Sequence, residues 1–94
     1  MNPIWTAPAD YDADWIWTHI ASDNIDAADR TIARLQDAAS RLTVHPLLGR
    51  NGKERGTREL VVSRTPYILI YGVNADRLEI LRVLHGKQHW PPEG

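Results

Sequence analysis

The chain has 94 residues, no cysteine and a formal net charge of −1, which divides into −4 for residues 1–45 and +3 for residues 46–94. This length fits one domain. The absence of cysteine excludes a disulfide-stapled secreted scaffold and a thiolate metal site, and so small a charge excludes a dedicated nucleic-acid binder. Since neither a membrane-spanning apolar run nor a signal peptide is visible, we expect one cytoplasmic domain over residues 1–94, without cofactor, metal or membrane contact.

A first helix is predicted to follow Thr6, a residue that suits the N-cap position, with Pro8 in the first turn. Apolar residues then recur at helical spacing, which predicts a buried stripe of Ala9, Ala13, Ile16, Trp17 and Ile20. Trp15 falls on the opposite side of this helix, so we expect its side chain to be exposed.

A second helix is predicted from an N-cap at Asn24 to a point before His45 and Pro46, because proline disfavours helical geometry at the preceding residue. Its buried stripe is Ala28, Ile32, Leu35, Ala39 and Leu42. Its opposite face carries Arg30, Arg34, Asp37 and Arg41, with expected ion pairs Asp26–Arg30 and Asp37–Arg41. We expect this face to be solvated, and the alternative is that it meets acidic residues of the antitoxin. The connection at residues 22–24 is so short that the two helices form an antiparallel hairpin.

Three strands are predicted in the second half, after a glycine-rich loop at residues 46–56. The β-like runs are Thr57–Val62, Pro66–Val73 and Asp76–His85, and turn-like residues separate them. Short connections predict an antiparallel meander, with Thr57–Val62 as an edge strand open to strand addition by a partner. A further short strand is expected ahead of the first helix.

Motifs for a metal site or a phosphate loop do not emerge from the residues. His19 and His45 have no partner at metal-ligand spacing, and we expect His19 to be an ordinary residue at a helix C-terminus. The segment GRNGKERG at residues 49–56 lacks the lysine-threonine ending of a P-loop and does not open a helix. It is expected to be a solvated loop.

Four segments together resemble the RelE/ParE toxins of type II toxin–antitoxin systems, over nearly the whole chain. They are WTAPADYDADWIWTHIA, NIDAADRTIARLQDAASRLTVHPLLGR, GTRELVVSRTPYILIYGV and LEILRVLHGKQHWP. The last two are the most specific, because they combine a strand pattern with fixed polar positions. The chain departs from the pattern at Ala13, where the family often has leucine after the aspartate.

The resemblance implies an α+β fold, in which an N-terminal antiparallel helical hairpin packs on a small twisted antiparallel sheet in the order β-α-α-β-β-β. It also implies a cognate antitoxin whose C-terminal segment wraps the toxin. The family has two activities, since RelE-type members cleave messenger RNA, commonly on the ribosome, whereas ParE-type members poison DNA gyrase. Gyrase poisoning and messenger RNA cleavage are therefore alternative functions here, both consistent with plasmid stabilisation.

The residues at the positions of the RNA-cleaving cations favour the ParE-like activity. RNA cleavage by the ribose 2′-hydroxyl needs a proton acceptor, a donor to the leaving oxygen and cations for the developing charge. Where RelE has an arginine after the central-strand tyrosine, this chain has Ile68. The corresponding lysine positions fall on Glu59 and Val61, and the late arginine position falls on Gln88. We therefore expect a gyrase inhibitor and not an enzyme, with a ribosome-dependent or free endoribonuclease as the alternative.

Seven residues are predicted to bind the target or the antitoxin: Trp15, Arg58, Arg82, His85, Lys87, His89 and Trp90. If the chain is a nuclease, the catalytic candidates among them are His85, His89, Arg58 and Arg82, because histidine titrates near neutral pH and arginine stabilises phosphate charge. The structural alternative is that Arg82 makes an ion pair and that His85 caps its strand. An inert relative that only sequesters antitoxin is a third possibility.

Overall fold

A computed structural model describes residues 2–87 of the chain. The elements in chain order are β1 (Ile4–Trp5), α1 (Ala7–Ala21), α2 (Ile25–Val44), β2 (Arg50–Asn51), β3 (Thr57–Val61), β4 (Tyr67–Asn74) and β5 (Arg77–His85). The two helices and the short leading strand occur in the predicted order, and the three long strands agree with the predicted runs to within about one residue at each end, which is the usual ambiguity of element ends.

Both predicted N-caps are confirmed. The Thr6 hydroxyl accepts a hydrogen bond from the Ala9 backbone N–H at 3.3 Å, and Asn24 Oδ1 accepts one from Ala27 at 3.0 Å. Each cap satisfies a backbone donor that the first helical turn leaves without a partner. The Thr6 hydroxyl also donates to the Ile80 carbonyl at 3.0 Å, so the start of α1 is tied directly to β5.

The sheet has five strands in the order β1-β5-β4-β3-β2. The predicted antiparallel meander of β3, β4 and β5 is confirmed, with β4 at the centre. The sheet is mixed and not wholly antiparallel, however, because β1 pairs in parallel with Glu79 and Ile80 of β5. A parallel pair needs a long connection between its two strands. The helical hairpin lies between β1 and β5 in the sequence and provides part of that connection.

The segment at residues 46–56 is not a loop throughout, because it contains the two residues of β2. Arg50 and Asn51 pair with Glu59 and Arg58, so the prediction that β3 is an exposed edge strand is wrong along these residues. An ion pair of 3.0 Å between Arg50 and Glu59 accompanies this pairing. Beyond Glu59, β2 does not continue, and the remainder of β3 has no strand on that side among residues 2–87.

Tyr71 holds the start of this segment in place. Its hydroxyl donates to the Pro46 carbonyl at 2.7 Å and accepts from the Gly49 backbone N–H at 2.9 Å. A Cβ at position 49 would lie 2.7 Å from that hydroxyl and from the Glu59 carbonyl, so only glycine allows this approach. A contact across 22 residues cannot be read from local patterns, which is why the sequence predicted only a loop here.

The core lies between the helices and one face of the sheet. It contains, among others, Ile16, Leu35, Leu42, Leu69, Tyr71, Ile80 and Val83. The predicted stripe of α2 is confirmed, since all of its members are buried or pack against the core. The prediction that Trp17 belongs to the buried stripe of α1 is wrong, because 37% of its surface is exposed and its indole N–H donates to Asp29 at 2.9 Å. An indole at a helix edge can bury its ring partly while satisfying this donor.

The expected ion pairs on the outer face of α2 do not form. Among residues 2–87, the ion pairs closer than 4.0 Å are Arg50–Glu59 and Arg82–Asp12, and neither involves α2. An exposed pair of this kind is worth only about 0.3–0.5 kcal/mol, so solvation competes with it successfully. Within the same part of the chain, neither helix combines the length and apolar character that crossing a membrane requires.

Replacing Tyr71 by phenylalanine tests the role of its buried hydroxyl. The change leaves the Gly49 N–H and the Pro46 carbonyl without this partner, so we expect Tyr71→Phe to lower the free energy of unfolding by about 1–3 kcal/mol. Tyr11→Phe is the matched control, because Tyr11 is 71% exposed and should change stability by less than about 0.5 kcal/mol. Urea denaturation measures both variants, and equal losses would contradict the assignment.

Candidate functional site

Three ring side chains form an exposed ladder along α1. Tyr11, Trp15 and His19 are four residues apart, which places them above one another on one side of a helix. The Trp15 and His19 rings stack with centroids 4.9 Å apart and planes only 8° from parallel. Trp15 is 58% exposed, which confirms the prediction that it faces outward. His19 lies in the last turn of α1, as expected, and also supports the indole.

The facing wall comes from the sheet. Tyr67 begins β4 and His85 ends β5, and the strand register makes them direct cross-strand partners. Their rings meet edge to face with centroids 5.8 Å apart and planes at 84°, which is a favourable geometry for an aromatic pair. Burial raises the pKa of the Tyr67 phenol, so this hydroxyl stays protonated well beyond neutral pH.

Asp12 connects these two walls at their base. Its carboxylate accepts two hydrogen bonds from the Arg82 guanidinium, Nε at 2.7 Å and Nη2 at 3.0 Å. It also accepts the Val83 backbone N–H at 2.9 Å. The hydrogen bond to Asp12 raises the pKa of Arg82, against an opposing effect of burial. Charge-assisted bidentate pairs are among the strongest hydrogen bonds in proteins, so α1 is held firmly at β5.

A cavity of about 590 Å³ lies between the two walls. We call it the aromatic cleft and define it by Tyr11, Asp12, Trp15, His19, Tyr67 and His85. Its volume lies within the range of pockets that bind small molecules. None of the described residues that line it is lysine or arginine. Exposed aromatic rings around one engaged carboxylate suit recognition of another protein better than the stabilisation of phosphate charge.

The structure brings together only some of the predicted site residues. Trp15 and His85 line the aromatic cleft, and Arg82 lies beneath it through Asp12. Lys87 is exposed, and its backbone N–H donates to His85 Nδ1 at 3.2 Å. Arg58 lies apart on β3, where its guanidinium donates to the Gly49 carbonyl at 2.7 Å. The remaining two predictions, His89 and Trp90, fall outside the described residues.

Four residues of the cleft were missed from the sequence: Tyr11, Asp12, His19 and Tyr67. The four-residue spacing of the ladder was visible, and it could have identified Tyr11 and His19 as neighbours of Trp15. The pairing of Tyr67 with His85 depends on strand register, and that of Asp12 with Arg82 spans 70 residues. No group of three or more potential metal ligands occurs within residues 2–87.

Comparison with known proteins identifies the family. The family model described as "ParE toxin of type II toxin-antitoxin system, parDE" matches residues 4–90. The chain belongs to the ParE toxin family. It is also 42% identical over 87 residues to a protein of Sinorhizobium fredii named "Putative toxin Y4kP", covering 93% of this chain and 90% of that relative.

A solved structure shows the same fold as this ParE-family chain. The structure described as "Chromosomal ParDE TA system from P. aeruginosa" superposes with a TM-score of 0.80 at 24% identity, covering 90% of this chain and 95% of the other. The predicted resemblance to RelE/ParE toxins, with the ParE-like side favoured, is therefore confirmed. The chain is the toxin component of a type II toxin–antitoxin system, and such a system implies an antitoxin partner.

The link between α1 and β5 can be tested by Asp12→Asn. This change removes the charge from the pair with Arg82, and we expect a loss of about 1.5–3 kcal/mol in the free energy of unfolding. Asp14→Asn is the matched control, because Asp14 is exposed on the same helix and should change stability by less than about 0.5 kcal/mol.

The pH dependence of this loss has a definite sign. Since the pKa of Arg82 is raised, the stability that Arg82 contributes to the folded state is fully present below the ordinary arginine pKa. This stability is lost only as the pH rises above that value. The difference between Asp12→Asn and the original chain should thus stay constant from about pH 6 to pH 9 as far as Arg82 is concerned. Chemical denaturation across this range measures it, and a loss that fades by pH 9 would contradict the assignment.

Proposed function

We propose that this ParE-family toxin binds and poisons DNA gyrase, and that a cognate antitoxin neutralises it by covering the helical hairpin and the sheet. The observation that carries the proposal is that the arginines available for RNA cleavage already make contacts within the fold. Both candidate arginines of the nuclease alternative are tied into the fold, Arg82 by Asp12 and Arg58 by the Gly49 carbonyl. A guanidinium already used to hold a helix or a loop is poorly placed to follow charge that develops on a substrate.

The central strand supports the same proposal. Ile68 occupies the position at which RelE has arginine, and its cross-strand partners are Val61 and Leu84. This row is entirely apolar, so it provides no charge for a leaving oxygen or a phosphate. Glu59, at one of the corresponding lysine positions, carries the opposite charge and pairs with Arg50. Removing even one stabilising donor from a catalytic site costs about 2.7–4 kcal/mol.

The aromatic cleft is the surface that we assign to target binding. Tryptophan and tyrosine dominate the binding energy of protein interfaces, because a large rigid ring is desolvated with little loss of side-chain entropy. Trp15 and Tyr11 present such rings to solvent on a helix that Asp12 fixes to the sheet. An antitoxin that covers α1 and the adjoining end of β5 would occlude both rings, so neutralisation would occur by direct competition with gyrase.

Purified gyrase and supercoiled plasmid test the proposal. We expect the toxin to trap cleaved DNA and the antitoxin to prevent it. Trp15→Ala should weaken gyrase binding at least about 30-fold, as expected for a hot-spot residue. The fold should change little, because the indole is 58% exposed. Leu47→Ala is the matched control, since Leu47 is 72% exposed and lies outside the cleft. The Leu47→Ala toxin should bind gyrase as tightly as the original toxin.

One result would reverse the assignment. If the toxin leaves gyrase activity normal and instead cuts messenger RNA in the ribosomal A site, the chain is an endoribonuclease despite the engaged arginines. His85→Ala then separates the two functions further, because a general acid or base would be lost with this residue. Under the gyrase proposal, His85→Ala affects only affinity.

A further inference from the structure

A second groove lies between the C-terminal half of α2 and the turn from β3 to β4, and it shares no described lining residue with the aromatic cleft. We call it the arginine groove. It encloses about 560 Å³ and is defined by Arg34, Asp37, Ser40, Arg41, Ser63 and Arg64. Val62 also lines it but is only 2% exposed, so the described lining offers a partner almost no apolar side chain.

The three arginines of the groove are not neutralised. No carboxylate lies within 4.0 Å of their guanidinium nitrogens in the part of the chain that the structure describes. Asp37 is the one acid in the described lining, which leaves a formal charge of +2. By contrast, α1 carries three aspartates and no lysine or arginine. A polyanion would therefore be attracted more strongly to the groove than to the face of α1.

Arg64 lies at the groove in an unusual backbone conformation. Its φ is +65°, in the left-handed region that favours glycine. The turn around it is well held, because Val62 donates its N–H to the Tyr67 carbonyl at 3.0 Å and Thr65 donates through its hydroxyl to the Val62 carbonyl at 3.0 Å. Strained backbone that the surroundings maintain is concentrated at functional sites. The held turn gives the Arg64 cation a defined position at the groove.

We propose that the arginine groove contacts the phosphodiester backbone of DNA, which the proposed function brings within reach because gyrase holds DNA. Guanidinium groups and serine hydroxyls are common donors to backbone phosphates. Buried Val62 provides no anchor for an apolar peptide, so the groove suits an anionic partner, and three guanidinium groups match the repeated phosphates of a nucleic-acid backbone. Because Asp37 lowers the charge, we expect the toxin alone to bind DNA measurably at low salt and only weakly at physiological salt, where the contact adds to the affinity for the gyrase–DNA complex.

Fluorescence anisotropy with a labelled duplex of about 20 base pairs tests the contact directly. If the three arginines neutralise three phosphates, raising the salt from about 50 mM to about 200 mM should weaken binding about 40-fold. Arg34→Ala or Arg41→Ala should weaken binding at low salt and reduce this dependence to about 12-fold. Arg30→Ala is the matched control, since Arg30 lies on the same helix outside the groove and should change neither quantity.

A second pair of variants separates backbone strain from binding. Arg64→Gly relieves the left-handed conformation and removes a cation, so we expect a higher melting temperature together with weaker binding to the duplex. Ala75→Gly relieves the left-handed conformation of a different non-glycine residue, which is outside the groove. It should raise the melting temperature and leave DNA binding unchanged.

Three results would overturn the proposal. The first is no salt-dependent binding of the original toxin to the duplex at about 50 mM salt. The second is an equal loss for Arg30→Ala and the groove variants. The third is unchanged DNA binding with weaker antitoxin binding in the groove variants, which would assign the groove to a protein partner. The plasmid cleavage assay with gyrase tests the proposed function separately. Binding to the duplex is measured without gyrase, so either proposal can fail without the other.

Discussion

The position of α1 depends on the carboxylate of Asp12. β1 covers the outer edge of β5 only at Glu79 and Ile80, so the backbone N–H of Val83 needs another acceptor. Asp12 provides it and engages Arg82 at the same time, with 12% of its side chain exposed. A partly buried carboxylate with three donors is satisfied both in charge and in hydrogen bonds. The Tyr11, Trp15 and His19 ladder therefore faces the end of the sheet at a fixed distance, and the aromatic cleft is a consequence of this link.

Arginine serves two different purposes in this molecule. Arg82 and Arg58 stabilise the fold, because each connects its strand to another part of the chain, Arg82 to Asp12 of α1 and Arg58 to the Gly49 carbonyl. The arginines of the groove make no such ion pair in residues 2–87. Whether an arginine is available to bind phosphate or serves to stabilise the fold is therefore decided by the groups around it. Here the contacts of Arg82 and Arg58 support our proposal of a toxin that acts by binding its target.

Local patterns predicted most of the architecture because each pattern has a short-range cause. Thr6 and Asn24 cap their helices through contacts three residues away, and the alternation in residues 57–85 follows from the pleat of a strand. Trp17 shows the limit of such patterns. Its spacing fits the buried stripe, but the indole N–H finds Asp29 on the neighbouring helix, and that hydrogen bond places it at the edge. The two-residue strand β2 shows the same limit, because it forms only where β3 and Tyr71 are already in place.

The sequence by itself determined the family, the exposure of Trp15, the isoleucine at position 68 and the order of the two helices with the strands β1, β3, β4 and β5. These properties depend on residue identity and on spacing of a few residues. Only the tertiary structure decided that Asp12 engages Arg82, that Tyr67 meets His85, and that Arg34, Arg41 and Arg64 share one groove. The partners in the first two pairs are 70 and 18 residues apart, and their contacts are set by strand register and helix packing, which no local pattern specifies.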